Sequence, residues 1–135
     1  MGYRSQVTAV IYPGEPTDPM GPDAYKEYET RMYEALRFLM GTKYAQLMEM
    51  QWGWFGSLAR WDDREKRLVF EMHDVKWYES YEDVKAFDAM LVEVTELGYC
   101  SEFVRVGEES DDIENRYEGE GVRYILNVQR TITIE

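Results

Sequence analysis

The residues able to do covalent chemistry are few in this chain of 135 residues: one histidine, His73, and one cysteine, Cys100. His73 stands beside Glu71 and Asp74, and an imidazole with a carboxylate neighbour is a proton carrier near neutral pH. No serine or cysteine nucleophile lies at a spacing that such a base would serve, and no glycine loop is present to hold an oxyanion or a phosphate. A single cysteine and a single histidine exclude an internal disulfide, a Cys/His zinc site and a Cys-x-x-Cys redox pair. Gly-x-Ser-x-Gly, Gly-x-Gly-x-x-Gly, the Walker A loop and His-Glu-x-x-His are absent. The expectation is a protein without catalytic residues, cofactor or metal. His73 then reads as a polar residue at a strand end and Cys100 as a small hydrophobe.

Charge is the more informative chemistry. Twenty-seven acids against 15 bases leave a net charge of −12, which opposes direct binding to nucleic acid. Residues 1–70 hold 10 acids and 9 bases, whereas residues 71–135 hold 17 acids and 6 bases, so nearly all of the excess is in the second half. Glu108, Glu109, Asp111, Asp112, Glu114, Glu118 and Glu120 fall close together with only Arg116 among them, and Glu82, Asp83, Asp88, Glu93 and Glu96 follow Ser80. Three readings stand. The acids are a solvated surface that maintains solubility. Alternatively they imitate a nucleic-acid backbone, since acids two apart on a strand are about 6.6 Å apart, a spacing like that of phosphates. In the third reading Asp111, Asp112 and Glu114 hold a weak magnesium or calcium ion, although the segment does not match a calcium-loop motif.

Aromatic residues offer a different kind of site. Trp52, Trp54, Phe55, Trp61, Trp77, Tyr78 and Tyr81 are candidates for a recognition patch or a core, and Trp77 and Tyr81 straddle a strand-to-helix junction. A pocket around Trp52, Trp54 and Trp77 would make the protein a small-molecule or peptide binding module, its acids serving solubility only.

The elements that position these residues follow from periodicity. Tyr3 to Tyr12 alternates as a strand, and a Pro/Gly loop occupies 13–22. Tyr25, Tyr28, Met32, Leu36 and Leu39 predict a helix over 24–40, capped by Asp23 and stopped by Gly41. Thr42 to Met50 suggests a short second helix, interrupted at 51–56. Ser57–Asp62 and Arg67–His73 form a hairpin with Leu68, Phe70 and Met72 on one face. Ser80 and Asp83 resemble a capping box, and Val84, Phe87, Leu91, Val94 and Leu97 continue as a helix up to Gly98. Cys100 to Val106 is a strand, 107–121 an acidic loop, and Val122 to Ile134 one long strand. The fold class is therefore α+β, a single domain over 1–135. An antiparallel sheet in the order β-α-β-β-α-β-β is covered by two amphipathic helices, a ferredoxin-like variant. No apolar run is long enough for a membrane span and the N-terminus lacks a signal-peptide pattern, so a cytosolic protein is expected. Val122–Ile134 at a sheet edge would allow a homodimer.

Three blocks carry a resemblance: Met1-Gly-Tyr-Arg-Ser5, Val75-Lys-Trp-Tyr-Glu-Ser-Tyr81 with Asp83-Val84, and Phe103-Val-Arg-Val-Gly-Glu108 followed by Asp111-Asp-Ile-Glu114. Together they resemble a family of small acidic, mostly uncharacterised proteins of tailed bacteriophages and prophages. The resemblance implies a phage origin and the cytoplasm of an infected bacterium, and assigns no catalytic residue. By analogy of class, it favours a DNA mimic that binds a host DNA-binding protein or enzyme, such as DNA gyrase or an antiviral CRISPR or restriction nuclease. Glu108, Glu109, Asp111, Asp112, Glu114, Glu118 and Glu120 would form the binding surface.

Overall fold

The computed structural model describes residues 3–49, 58–129 and 131–134. The chain runs β1 (Ser5–Pro13), α1 (Pro22–Thr42), α2 (Ala45–Glu49), β2 (Leu58–Asp62), β3 (Arg67–Val75), α3 (Glu82–Glu96), β4 (Tyr99–Gly107), β5 (Ile113–Glu118), β6 (Leu126–Gln129) and β7 (Thr131–Ile134). Five strands form one sheet in the order β2-β3-β1-β4-β5, each pair antiparallel, and β6 and β7 form a second, two-stranded sheet. The unit β1-α1-β2 straddles β3, and β3-α3-β4 straddles β1, which is the interleaving of a ferredoxin-like sheet with β5 added at its edge. The α+β class and the antiparallel sheet agree with the periodicity.

The helices begin and end differently from expectation. Gly21 takes the N-cap of α1 with Pro22 just inside, a position where the fixed φ and missing N–H of proline cost nothing. Asp23 therefore sits in the first turn instead of capping it. The helix also passes through Gly41 to Thr42, whose Oγ1 donates to the Phe38 carbonyl at 2.8 Å. Tyr81, not Ser80, is the N-cap of α3, and no side chain caps it; the Asp83 carboxylate accepts from the Val84 N–H at 3.0 Å. Gly98 follows α3 at φ 101, a left-handed conformation that glycine adopts without strain.

Two expectations about the second half are corrected. The segment 107–121 is not all loop, because Ile113–Glu118 pairs with β4 as β5. Val122–Ile134 is not one strand at the sheet edge: it divides into β6 and β7, and the edges of the main sheet are β2 and β5.

The sheet is packed on both faces. On one, Val7, Ala9, Ile11, Leu68, Phe70 and Met72 meet Leu36 and Met40 of α1 and Val84, Phe87, Met90 and Val94 of α3. Phe87 stands edge-on to Phe70 at 5.1 Å and to Trp77 at 5.6 Å. On the other, Val10, Tyr12, Cys100, Val104 and Val106 are covered by Leu126 with Val128, Ile132 and Ile134. A carboxyl group is enclosed in that second layer. Glu102 is 0% exposed and accepts from the Tyr12 hydroxyl at 2.5 Å and the Leu126 N–H at 3.0 Å. The Tyr12 oxygen accepts in turn from the Arg123 N–H at 2.7 Å. Burial and the bond to Glu102 push the Tyr12 phenol well above its ordinary range. No described helix is long and apolar enough to cross a membrane.

Candidate binding site

The described residues of the three blocks singled out in the sequence converge at one end of the main sheet. That end is made by the residues entering β1, the β3–α3 connection and the β4–β5 turn. The turn is closed by Gly107 N–H to the Asp112 carbonyl at 2.8 Å and Asp112 N–H to the Glu109 carbonyl at 3.1 Å. A Cβ on Gly107 would meet Asp112 Oδ2 at 2.1 Å and Tyr3 Oη at 2.4 Å, so only glycine lets these two groups approach.

Arg105 is the centre of the arrangement. It faces the helix side of β4, and its guanidinium donates to Asp112 Oδ1 at 2.7 Å, Asp112 Oδ2 at 3.1 Å, Glu114 Oε1 at 3.2 Å and Ser5 Oγ at 3.1 Å. The Tyr3 hydroxyl donates to Asp112 Oδ2 at 2.6 Å and accepts from the Glu109 N–H at 3.0 Å. The Tyr3 N–H donates to Tyr78 Oη at 2.8 Å. Arg105 and then Tyr3, both donating to it, hold the Asp112 carboxyl below the usual carboxylate range, and the bond to Asp112 raises the Tyr3 phenol. Nearby, the Arg4 N–H donates to Glu108 Oε1 at 2.6 Å.

These groups border a cleft of about 450 Å³, lined by Tyr3, by Trp77 through Ser80, and by Arg105, Asp112 and Glu114. The Arg105 donors are spent within the protein and leave little for an anion. Of the lining carboxylates Asp112 and Glu114 are taken by Arg105, so the Glu79 carboxylate and the tyrosine rings are what the cleft offers a cation.

The seven acids expected to form one surface divide into two kinds. Glu108, Asp112 and Glu114 are engaged as above, and Glu114 also lies 3.6 Å from Arg116 Nε, an ion pair too long for a hydrogen bond. Glu109 is exposed at the turn. Asp111, Glu118 and Glu120 are exposed and make no ion pair with a described residue. Glu118 and Glu120 are at the far end of β5, about 20 Å along a six-residue strand. Asp112 and Glu114 thus spend on Arg105 the oxygens that the cation-site reading gave to a metal. No group of histidine, cysteine, aspartate and glutamate suited to a metal occurs among the described residues.

The other candidates are dispersed. Trp77 is 8% exposed and packs against Phe87 and Phe103 at 5.6 and 5.7 Å, which makes it chiefly a core residue and not an open platform. Tyr81 is 41% exposed and edge-on to Tyr78 at 5.1 Å. Trp61 stands against Tyr33 at 5.6 Å, under the Arg37 guanidinium at 5.0 Å. Trp52, Trp54 and Phe55 lie outside the described residues, and with them most of the expected aromatic pocket. Glu71, one of the carboxylates beside His73, is taken by Arg60 at 3.1 Å, and His73 is exposed. Cys100 is buried, which pushes its thiol up to about 11.

Tyr78 was expected only as part of the aromatic patch, and Tyr3, Ser80, Arg105 and Gly107 were not among the expected site residues. The available signal was Arg105 itself, a base within the apolar run Phe103-Val-Arg-Val. Comparison of the chain with protein-family models, with curated proteins and with solved structures finds no match.

Proposed function

We propose that the protein acts by binding a partner protein, not by catalysis, and that it lays the acidic edge of the β4–β5 hairpin on a basic surface in place of DNA. The observation that carries this reading is that Asp111, Glu118 and Glu120 are exposed at the two ends of β5, an edge strand of the main sheet. The paired acids at Arg105 anchor the hairpin; the exposed ones are available to a partner. The phage resemblance supports a host DNA-handling enzyme, DNA gyrase or an antiviral nuclease, in the cytoplasm of an infected bacterium. Binding of this kind weakens steeply with salt.

The test is capture from nuclease-treated bacterial lysate by the wild-type protein and by the triple variant Asp111→Lys/Glu118→Lys/Glu120→Lys. The expected result is a DNA-handling enzyme retained at low salt, released by salt or by added duplex DNA, and not captured by the variant. Capture that neither duplex DNA nor the variant alters would overturn the reading. The cleft supports a second reading, a binding module for a small cationic ligand or peptide. Its occupant would be lost on Tyr78→Ala and be kept by the triple variant of the exposed acids.

A further inference from the structure

We infer that β5 is a docking edge for an extended, basic segment of the partner, which adds to the main sheet as a sixth strand. This rests on the acidic edge being a binding surface and says how that surface engages. β5 ends the strand order, and no described residue pairs with its outer side. The bond from Gly107 N–H to the Asp112 carbonyl sets the alternation of the hairpin. By that alternation the amides of Glu114, Arg116 and Glu118 turn to β4 and those of Asn115 and Tyr117 turn outward, while the Ile113 N–H is taken by the Asp111 carbonyl at 3.1 Å.

Exposed edges are commonly blocked by proline, lysine or a bulge. β5 has no proline or lysine and keeps an unbroken register with β4. Its one base, Arg116, is drawn inward, 2.8 Å from Asp88 of α3 and 4.2 Å above the Phe103 ring. An incoming strand therefore meets free backbone donors and acceptors.

Charge selects the occupant. The helix side of β5 carries Glu114 and Glu118 around Arg116, and the other side carries Ile113, 40% exposed, with Asn115 and Tyr117. A strand alternating basic and apolar residues sets a lysine or arginine beside Glu118, with the exposed Asp111 and Glu120 at either end of the strand, and an apolar side chain beside Ile113 and Tyr117. A second copy of this chain instead brings seven acids with one base, over 108–120, against the same set. Like charges oppose that pairing, so the occupant is a foreign basic strand.

The probe is a capped synthetic peptide of about seven alternating lysines and valines, a typical strand length. It is titrated into the full chain by calorimetry, with the Asn115 and Tyr117 amides followed by NMR. One control is the same peptide N-methylated on alternate amides along its bonding edge, which keeps the charge and removes the donors. The other is Asn115→Pro, which deletes an outward N–H at an edge that tolerates proline. Each control should weaken binding roughly tenfold or more, as expected from losing one backbone hydrogen bond in the variant and about three with the methylated peptide. If Asn115→Pro does not fold, the methylated peptide on the wild-type chain decides.

Binding that survives methylation and is removed only by salt overturns strand addition and leaves the acidic-surface reading standing. Failure of both peptides to bind at low salt overturns strand addition, while the lysate capture decides the acidic-surface reading separately. Self-association that Asn115→Pro abolishes overturns the choice of occupant in favour of a second copy.

Discussion

The two faces of the main sheet are sealed by opposite means. The helix face is closed by two long amphipathic helices and a cluster of aromatic rings around Phe87. The other is closed by a short hairpin fastened through the Glu102 carboxyl. A helix buries a broad apolar stripe and needs no polar anchor. A two-stranded hairpin is marginal by itself and needs tertiary support, which here includes the Leu126 N–H and the Tyr12 hydroxyl converging on one carboxyl. The difference teaches that burial supplies strength on one side and polar geometry supplies register on the other.

Perturbing the helix face should have the largest effect. Phe87→Ala removes the ring shared by Phe70 and Trp77 and should cost about 3–5 kcal/mol, read as a lower denaturant midpoint. Glu102→Ala should cost about 2–3 kcal/mol by leaving the Tyr12 hydroxyl and the Leu126 N–H without their acceptor. It should also speed modification of Cys100, which lies under the hairpin with its thiol pushed up to about 11. Unchanged thiol reactivity together with unchanged hydrogen-exchange protection in β6 would refute the fastening role. A smaller effect is expected at low pH. Lys43 and then Tyr44 hold Glu93 below its ordinary range, as Arg105 and Tyr3 hold Asp112. Their folded-state values lie below the unfolded ones, so their contribution is complete above about pH 5 and is lost as pH falls through the depressed values. An acid titration of Asp112→Asn should accordingly be shallower than that of the wild type. The smallest effect belongs to the exposed acids. The triple variant Asp111→Lys/Glu118→Lys/Glu120→Lys should unfold within about 0.5 kcal/mol per site of the wild type, so its loss of partner would report binding and not folding.

Much of the helix face was legible because its signals are local. Val84, Phe87, Leu91 and Val94 recur at helical spacing, and Leu68, Phe70 and Met72 alternate. The hairpin face was not, because Val122 to Ile134 alternates almost without interruption and no glycine or proline marks a break between Gln129 and Thr131. β5 was hidden for another reason. Ile113-Glu-Asn-Arg-Tyr-Glu118 has little strand propensity of its own and is held by pairing with β4. At the site, the acids could be counted from the sequence, but which of them are neutralised depends on Arg105 and on Tyr3, 109 residues away from Asp112.

The position of β1 in the middle of the sheet has a consequence in time. It is the first strand of the chain, and its partners come late: Val10 pairs with Val69 on one side and Glu102 on the other, and Ser5 reaches Gly107. A growing chain holds β1 without a neighbour until β3 is made and with only one until β4 follows, and each of these contacts closes a long loop. Acquisition of structure should then be late and abrupt, with nascent chains that stop short of Gly107 remaining protease-sensitive along β1.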